Sequence, residues 1–318
     1  MGAQPWELRK NRIKFKQYAI YIIFAVLCIV MAIVSPGFGT VVNFMNIIKQ
    51  VAIVTIIAFG ASMVLISGEL DLSPGAVCAL AGCVAANFGH PGTPVYIPIL
   101  MAIVVGLTTG FINGFISAKG KVPSFIVTLG MSTSVRGLTL ILTNGANVAN
   151  LSDEYQAVGG SYLFGIPILA FILIGVFIIA FYIMEKTRFG RYVYAVGGNE
   201  KATYLSGINT STIKIAVFMI AGALAAFAGM LLSSRINSGS PIAGQGYELD
   251  AIAAAVIGGT SITGGVGKIY GTIVGSLLLA VISNGLDLIG VSSYYQSIIS
   301  GVIIVAVVFM DIRSKSKG

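Results

Sequence analysis

Residues 96–118 read YIPILMAIVVGLTTGFINGFISA, without one charged side chain from end to end. A helix of this length, rising about 1.5 Å per residue, crosses the roughly 30 Å of a bilayer's hydrocarbon with its backbone hydrogen bonds satisfied internally. Similar continuous runs occupy 18–34, 124–142, 166–184, 213–232, 270–289 and 294–310, and shorter ones 51–66, 74–87 and 251–258. The pattern predicts an all-α membrane protein of about ten transmembrane segments, some of them short or broken. The whole chain, 1–318, is expected to form one transmembrane domain.

Composition agrees with a lipid solvent. Of 318 residues, 56% are hydrophobic and 9% charged, against about 25% charged in an ordinary soluble domain. The net charge of +8 is concentrated at the ends and in particular loops, which marks orientation rather than a nucleic-acid footprint. Cys28, Cys78 and Cys83 lie inside apolar runs without CxxC spacing or nearby histidines, and His90 has no catalytic residues around it. Packing is the expected role of the cysteines, and neither a metal nor a cofactor is expected.

The basic residues orient the chain. Arg9, Lys10, Arg12, Lys14 and Lys16 precede the run 18–34, which is followed by Ser35, Pro36, Gly37 and Phe38 instead of a small-residue cleavage site. It therefore reads as an uncleaved first membrane helix. Lysine and arginine favour the cytoplasmic side of short loops. With the N-terminus inside, ten spans put Lys119, Lys121, Lys186, Arg188, Arg191, Lys201, Lys214, Arg313, Lys315 and Lys317 inside as well. Both termini are then cytoplasmic, Asp153 and Glu154 lie outside, and Arg235 is the exception.

An internal repeat runs through the chain. Glu69-Leu70-Asp71 recurs as Glu248-Leu249-Asp250, ALAG at 79–82 is followed by AVIGG at 255–259, and Asn113-Gly114 returns as Asn284-Gly285. Val122-Pro123-Ser124-Phe125 is echoed by Val291-Ser292-Ser293-Tyr294, with all offsets between 169 and 179. The expected topology makes the two halves inverted copies, repeat one about 45–150 and repeat two about 213–312.

Both acidic triplets sit at helix interruptions. One is flanked by Ser67, Gly68, Ser73, Pro74 and Gly75, the other by Gly244, Gln245, Gly246 and Tyr247. Irregular backbone at membrane depth must be buried in protein or line a watery cavity. Glu69, Asp71, Ser73, Gln245, Tyr247, Glu248 and Asp250 are therefore candidates either to flank a polar route or to cap the following half-helix. Arg136, inside the run 124–142, must snorkel to the outer interface or pair with an inward-facing carboxylate in preference to touching a substrate. Asp287 stands in a similar position late in its own run. GGTSITGGVGK at 258–268 fails as a phosphate loop, because Ile262 and Ile269 occupy the places of an essential glycine and hydroxyl. It reads as a tight turn between closely packed helices.

The longest hydrophilic segment, TRFGRYVYAVGGNEKATYLSGINTSTIK at 187–214, predicts a short helix over Glu200–Ser206. Asn199 supplies the N-cap, Glu200 the acidic first turn and Gly207 the C′ position. A helix this short is marginal in water alone. Docking onto another protein would stabilise it; lying in the membrane interface is the alternative.

With these residues in view, the chain resembles the permease subunits of ABC importers for ribose and related monosaccharides over nearly its whole length. The resemblance is carried by SGELDLSPGAV at 67–77, VPSFIVTLGMSTSVRGL at 122–138, GRYVYAVGGNEKATYLSGIN at 190–209 and AGQGYELDAIAAAVIGGTSITGG at 243–265. It implies that the loop 185–214 couples to a cytoplasmic ATPase through Gly197, Gly198, Asn199, Glu200, Ala202 and Gly207. Thr203 departs from the family's usual second alanine, and Glu69-Leu70 from its usual glycine-isoleucine, which leaves the identity of the sugar open. The resemblance further implies a homodimer in a bacterial cell membrane, ATP hydrolysis in separate ATPase subunits, and an extracytoplasmic sugar-binding protein, with ribose the first expectation. A branched-chain amino acid permease and an ion-coupled secondary transporter are the alternatives; the latter leaves the capped loop unexplained.

Overall fold

The computed structural model describes residue 22 and residues 24–315. The basic residues Arg9 to Lys16, the start of the run 18–34 and Lys317 lie outside the described residues, as do the side chains of Arg313 and Lys315. In chain order the helices are α1 (Phe24–Val34), α2 (Val41–Ile66), α3 (Pro74–Phe88), α4 (Tyr96–Ala118), α5 (Ser124–Thr143) and α6 (Asp153–Gly160). A two-residue hairpin, β1 (Tyr162–Leu163) and β2 (Ile166–Pro167), leads into α7 (Ile168–Lys186), α8 (Arg188–Gly198) and α9 (Glu200–Leu205). α10 (Thr210–Arg235), α11 (Tyr247–Ile257), α12 (Ile269–Leu288) and α13 (Ser293–Lys315) complete the chain.

Among the described residues six helices, α2, α4, α5, α7, α10 and α12, are long and apolar enough to cross a membrane, and α1 and α3 are shorter apolar helices. Their outward faces are apolar: Ile141 on α5 and Ile179 on α7 are 75% and 61% exposed. Such faces suit hydrocarbon rather than water.

At the centre, α10 lies against α4, α3 and α2. Lipid tails are as apolar as the helix surface, so close packing has to replace the hydrophobic effect as the force between helices, and small residues permit it. Gly106, Gly110 and Gly114 recur every fourth residue along α4, and a methyl group on any of them would strike the backbone of α10 at Gly222, Phe218 or Ile215. Gly60 of α2 meets the Cα of Ala221 in the same way, and Gly271 and Gly275 of α12 meet Gly258 and Ala254 at the end of α11.

Among the described residues the largest departure from the expected boundaries is at α2. The predicted span 51–66 is the second half of α2, which begins at Val41. Asn43, Asn46, Lys49 and Gln50 interrupt the apolar run there, and the fold satisfies two of them by contacts with distant residues. The amides of Asn43 and Asn284 hydrogen-bond each other reciprocally, at 2.9 and 2.8 Å, with both side chains buried. Lys49 donates to the Tyr162 hydroxyl at 2.6 Å and lies over its ring. Arg235, the exception in the charge pattern, donates from Nη1 to the Lys49 carbonyl at 2.9 Å.

Two helices escaped the hydropathy reading because they are not membrane-length. α6, capped by Ser152 on the Tyr155 amide, buries Tyr155, whose hydroxyl lies 2.6 Å from Ser233 Oγ on α10. α8, capped by Thr187 on the Gly190 amide, buries Val193 and Val196.

Candidate functional site

The loop 67–73 between α2 and α3 has no regular structure, so its amides need side-chain partners. The Leu70 amide donates to Ser124 Oγ at 3.0 Å and the Leu72 amide to Thr128 Oγ1 at 3.1 Å, both on the first turns of α5. The loop thus rides along α5 before α3 begins. Asp71, 4% exposed, accepts from the Ser73 amide and hydroxyl at 2.8 and 2.6 Å, and Asn113 of α4 donates to Ser73 Oγ at 3.0 Å. Asp71 and Ser73 thus brace the turn that leads into α3, Ser73 standing at its N-cap position without a side-chain bond into the helix.

The second interruption, 236–246, meets α5 from the other end of the bundle. Arg136 Nη1 donates to the carbonyls of Pro241 and Ala243, each at 3.0 Å. The sequence offered Arg136 an interface or a carboxylate, whereas two backbone carbonyls of an irregular segment take its hydrogen bonds. Such groups would otherwise be unsatisfied at membrane depth. Arg136 lies twelve residues beyond Ser124, about 18 Å along the helix, so one helix holds both interruptions.

The two short helices start beside each other. A methyl group on Gly75, in the first turn of α3, would strike the Gly244 carbonyl and the Glu248 carboxyl at the head of α11. From this meeting point α3 runs towards the end where α4 begins, and α11 towards the end where α12 begins. Gly246, with φ of 86°, makes the turn into α11, and Glu248 Oε2 is buried without a hydrogen-bond partner among the described residues. Glu248 and the exposed Gln245 line a cleft of about 590 Å³ with Arg136, Ser132 and Thr133 of α5. Tyr247 and Asp250 are half-buried in the first turn of α11.

The acidic triplets therefore occupy different positions. Helices α10, α11, α12 and α13 start 169, 173, 173 and 169 residues after α2, α3, α4 and α5, whereas the triplets are 179 apart. The first precedes its helix; the second lies inside one.

At the end of the bundle where α2 and α4 finish, α8 and α9 form a second centre. Asn199 Oδ1 accepts from the Ala202 amide at 2.9 Å and opens α9. The Gly207 amide donates to the Tyr204 carbonyl and the Ile208 amide to that of Thr203, with Gly207 at φ 83°, which is the double bond pattern of a Schellman cap. Helix, N-cap and C′ glycine stand where the sequence put them, one residue shorter than expected. Tyr204 and Leu205 at its tip are 66% and 76% exposed.

Gly197 sits where three segments converge. A methyl group on it would strike the Ile66 carbonyl at the end of α2 and the Gly265 amide; the Gly265 amide itself donates to the Ile66 carbonyl at 2.9 Å. Gly68 and Gly264 lie on its other side. The glycine turn 258–268 is thus the seat of α8. Tyr194 of α8 adds a hydroxyl bond to the Gly267 carbonyl at 2.9 Å, and burial, with Glu185 nearby, pushes its phenol up from the ordinary range.

Sequence reasoning missed the link between the two centres. Lys214, in the first turns of α10, places Nζ 2.7 Å from Glu69 Oε1 and 2.7 Å from Glu200 Oε2. Periodicity gives no sign of a contact between residues so far apart; an isolated lysine and glutamate in otherwise apolar surroundings were the available signal. The three residues border a cleft of about 740 Å³ that also includes Ser124, Lys201 and Tyr204.

Residues 43–308 match the family described as branched-chain amino acid transport system / permease component. The chain is 45% identical over 293 residues to the ribose import permease protein RbsC of Bacillus subtilis (strain 168), covering 92% of this chain and 91% of that protein. It is 41% identical over 295 residues to the RbsC of Haemophilus influenzae, covering 92% and 91%. With the RbsC of Escherichia coli (strain K12) the identity is 43% over 290 residues, or 90% of each chain. No solved structure matches the chain.

Proposed function

We propose that this chain, which belongs to the branched-chain amino acid transport system / permease component family, is the membrane subunit of an ABC importer that carries a monosaccharide, ribose first. The observation that carries this reading is similarity along nine-tenths of the chain to proteins named ribose import permease. The family's description names amino acids, but the relatives named for a sugar match nine-tenths of the chain at 41–45% identity.

The reading gives each centre a task. α9, capped at both ends and carrying exposed Tyr204 and Leu205, is the helix that a cytoplasmic ATPase grips, with Gly197, Gly198, Asn199, Glu200, Ala202 and Gly207 shaping the segment 185–214. ATP binding and hydrolysis belong to that separate subunit, and a sugar-binding protein outside the cell delivers the substrate. The cleft of Arg136, Gln245 and Glu248 offers hydrogen-bonding groups suited to sugar hydroxyls, and a second copy of the chain closes it into a pathway. The termini then lie in the cytoplasm of a bacterial cell.

The same proposal takes the chain as one domain of ten membrane segments in two inverted repeats, about 45–150 and 213–312. Its support is the exchange of first helices. α10 packs on α3 and α4 while α2 packs on α11 and α12, and the two short helices leave their meeting point in opposite directions, as transporter repeats with discontinuous helices do.

The test is reconstitution. The chain, purified from its native membrane with whatever ATPase accompanies it, is placed in vesicles with the associated binding protein and supplied with ATP and radiolabelled ribose, other pentoses or leucine. ATP-dependent uptake of a pentose is the expected result. Uptake that persists without ATP hydrolysis makes the chain a solitary transporter, and uptake of leucine alone moves it to the amino-acid branch. Gly207→Pro removes both the donated amide and the left-handed turn, and it should abolish ATPase co-purification while membrane insertion continues.

A further inference from the structure

The geometry points to Lys214 as a positioning residue of the transport cycle, the ionic joint through which displacement of α9 reaches α5; this rests on the importer reading above. Its ammonium lies 2.7 Å from a carboxylate on each side, Glu200 of α9 and Glu69 of the loop 67–73. The side chains of Lys214 and Glu69 are 11% and 13% exposed and that of Glu200 49%. The joint is therefore dry towards the membrane and wet towards α9. A buried ion pair is costly to break from one side, because the remaining charge stays uncompensated. Lys214 and Glu69 therefore move as one unit, and the half-exposed Glu200 carboxylate, 2.7 Å from the same ammonium, is the contact through which α9 acts on that unit.

From Glu69 the links continue without a gap. The next amides of the same loop are bonded to Ser124 and Thr128 of α5, and α5 holds the opposite interruption through Arg136 on the Pro241 and Ala243 carbonyls. A rod of hydrogen-bonded helix lies between these two attachments. Motion at α9 thus has a polar route to the head of α11 and the cleft beside Glu248. α8 has a different attachment, the backbone junction at Gly197, which fixes where α9 sits without gripping α5.

The experiment measures sugar transported per ATP hydrolysed in the reconstituted complex of permease, ATPase and binding protein. Lys214→Met and Glu69→Gln should leave ATP hydrolysis within about twofold of wild type and lower sugar per ATP at least tenfold, whereas Lys214→Arg stays within about threefold. Ser124→Ala, which breaks the following link, should add little to Lys214→Met, since links in series do not add. A proportional fall of hydrolysis and transport, or no change in either, overturns the inference, because a purely structural brace alters the amount of working complex and not its stoichiometry. Should Lys214→Met fail to assemble, Glu69→Gln, which keeps the side chain's shape, decides by the same two numbers. A wild-type complex that imports no sugar under ATP sinks the importer reading itself, so the two failures are distinct.

Discussion

Gly197 and Gly198 are neighbours of one residue type, and replacing each by alanine should give opposite results. A β-carbon at Gly197 would lie 2.7 Å from the Gly265 nitrogen and collide with the Ile66 carbonyl, both of them backbone atoms that no rotamer change can move. α8 then has to back away. The overpacking costs about 1–3 kcal/mol and the lost hydrogen bond from Gly265 to Ile66 about 1 kcal/mol. The total of roughly 2–4 kcal/mol reduces the closed junction about 30- to 700-fold. At Gly198 a β-carbon meets nothing within 4 Å, and alanine at the end of α8 is worth about 0.5–1 kcal/mol in the folded chain's favour. The assay is retention of the ATPase through size-exclusion chromatography, together with thermal unfolding of the permease in nanodiscs. Gly197→Ala should lose most of its ATPase and Gly198→Ala should match or exceed wild type. Equal behaviour, or a worse Gly198→Ala, would refute the account of the junction.

Other substitutions test the remaining contacts. Asn43→Leu or Asn284→Leu alone leaves one buried amide unpaired and should cost about 1–3 kcal/mol; the double variant should cost less than the sum, as read by unfolding in mild detergent, and strict additivity would contradict the reciprocal bond. Arg136→Met strands the Pro241 and Ala243 carbonyls, and should lower sugar uptake more than tenfold while ATPase co-purification is unchanged; loss of both together would point to a folding defect instead. Tyr155→Phe removes the bond to Ser233 and should cost about 1 kcal/mol in the same detergent unfolding series, with transport by the folded fraction intact.

Much of this architecture was legible because its signals are local. The membrane helices follow from apolar runs, and α9 follows from Asn199, Glu200 and Gly207, residues that act within one turn of each other. The signals failed where a polar residue is answered from afar. α2 was read ten residues short because Asn43 looks like an interruption until Asn284, 241 residues away, pairs with it. The two acidic triplets, alike in sequence, differ in their contacts in the same manner: Asp71 accepts from Ser73, Glu69 holds Lys214, and the Glu248 carboxyl fills the space beside Gly75.

The sequence by itself determined that the chain dissolves in lipid, where its long helices run and that a small capped helix stands apart from them, because hydrophobic length and capping are properties of neighbours along the chain. Only the tertiary structure decided what Lys214, Arg136 and Gly197 touch. Their partners are two carboxylates, two carbonyls and a backbone junction brought close by packing, and the free energy of such contacts depends on distance in space rather than separation in sequence.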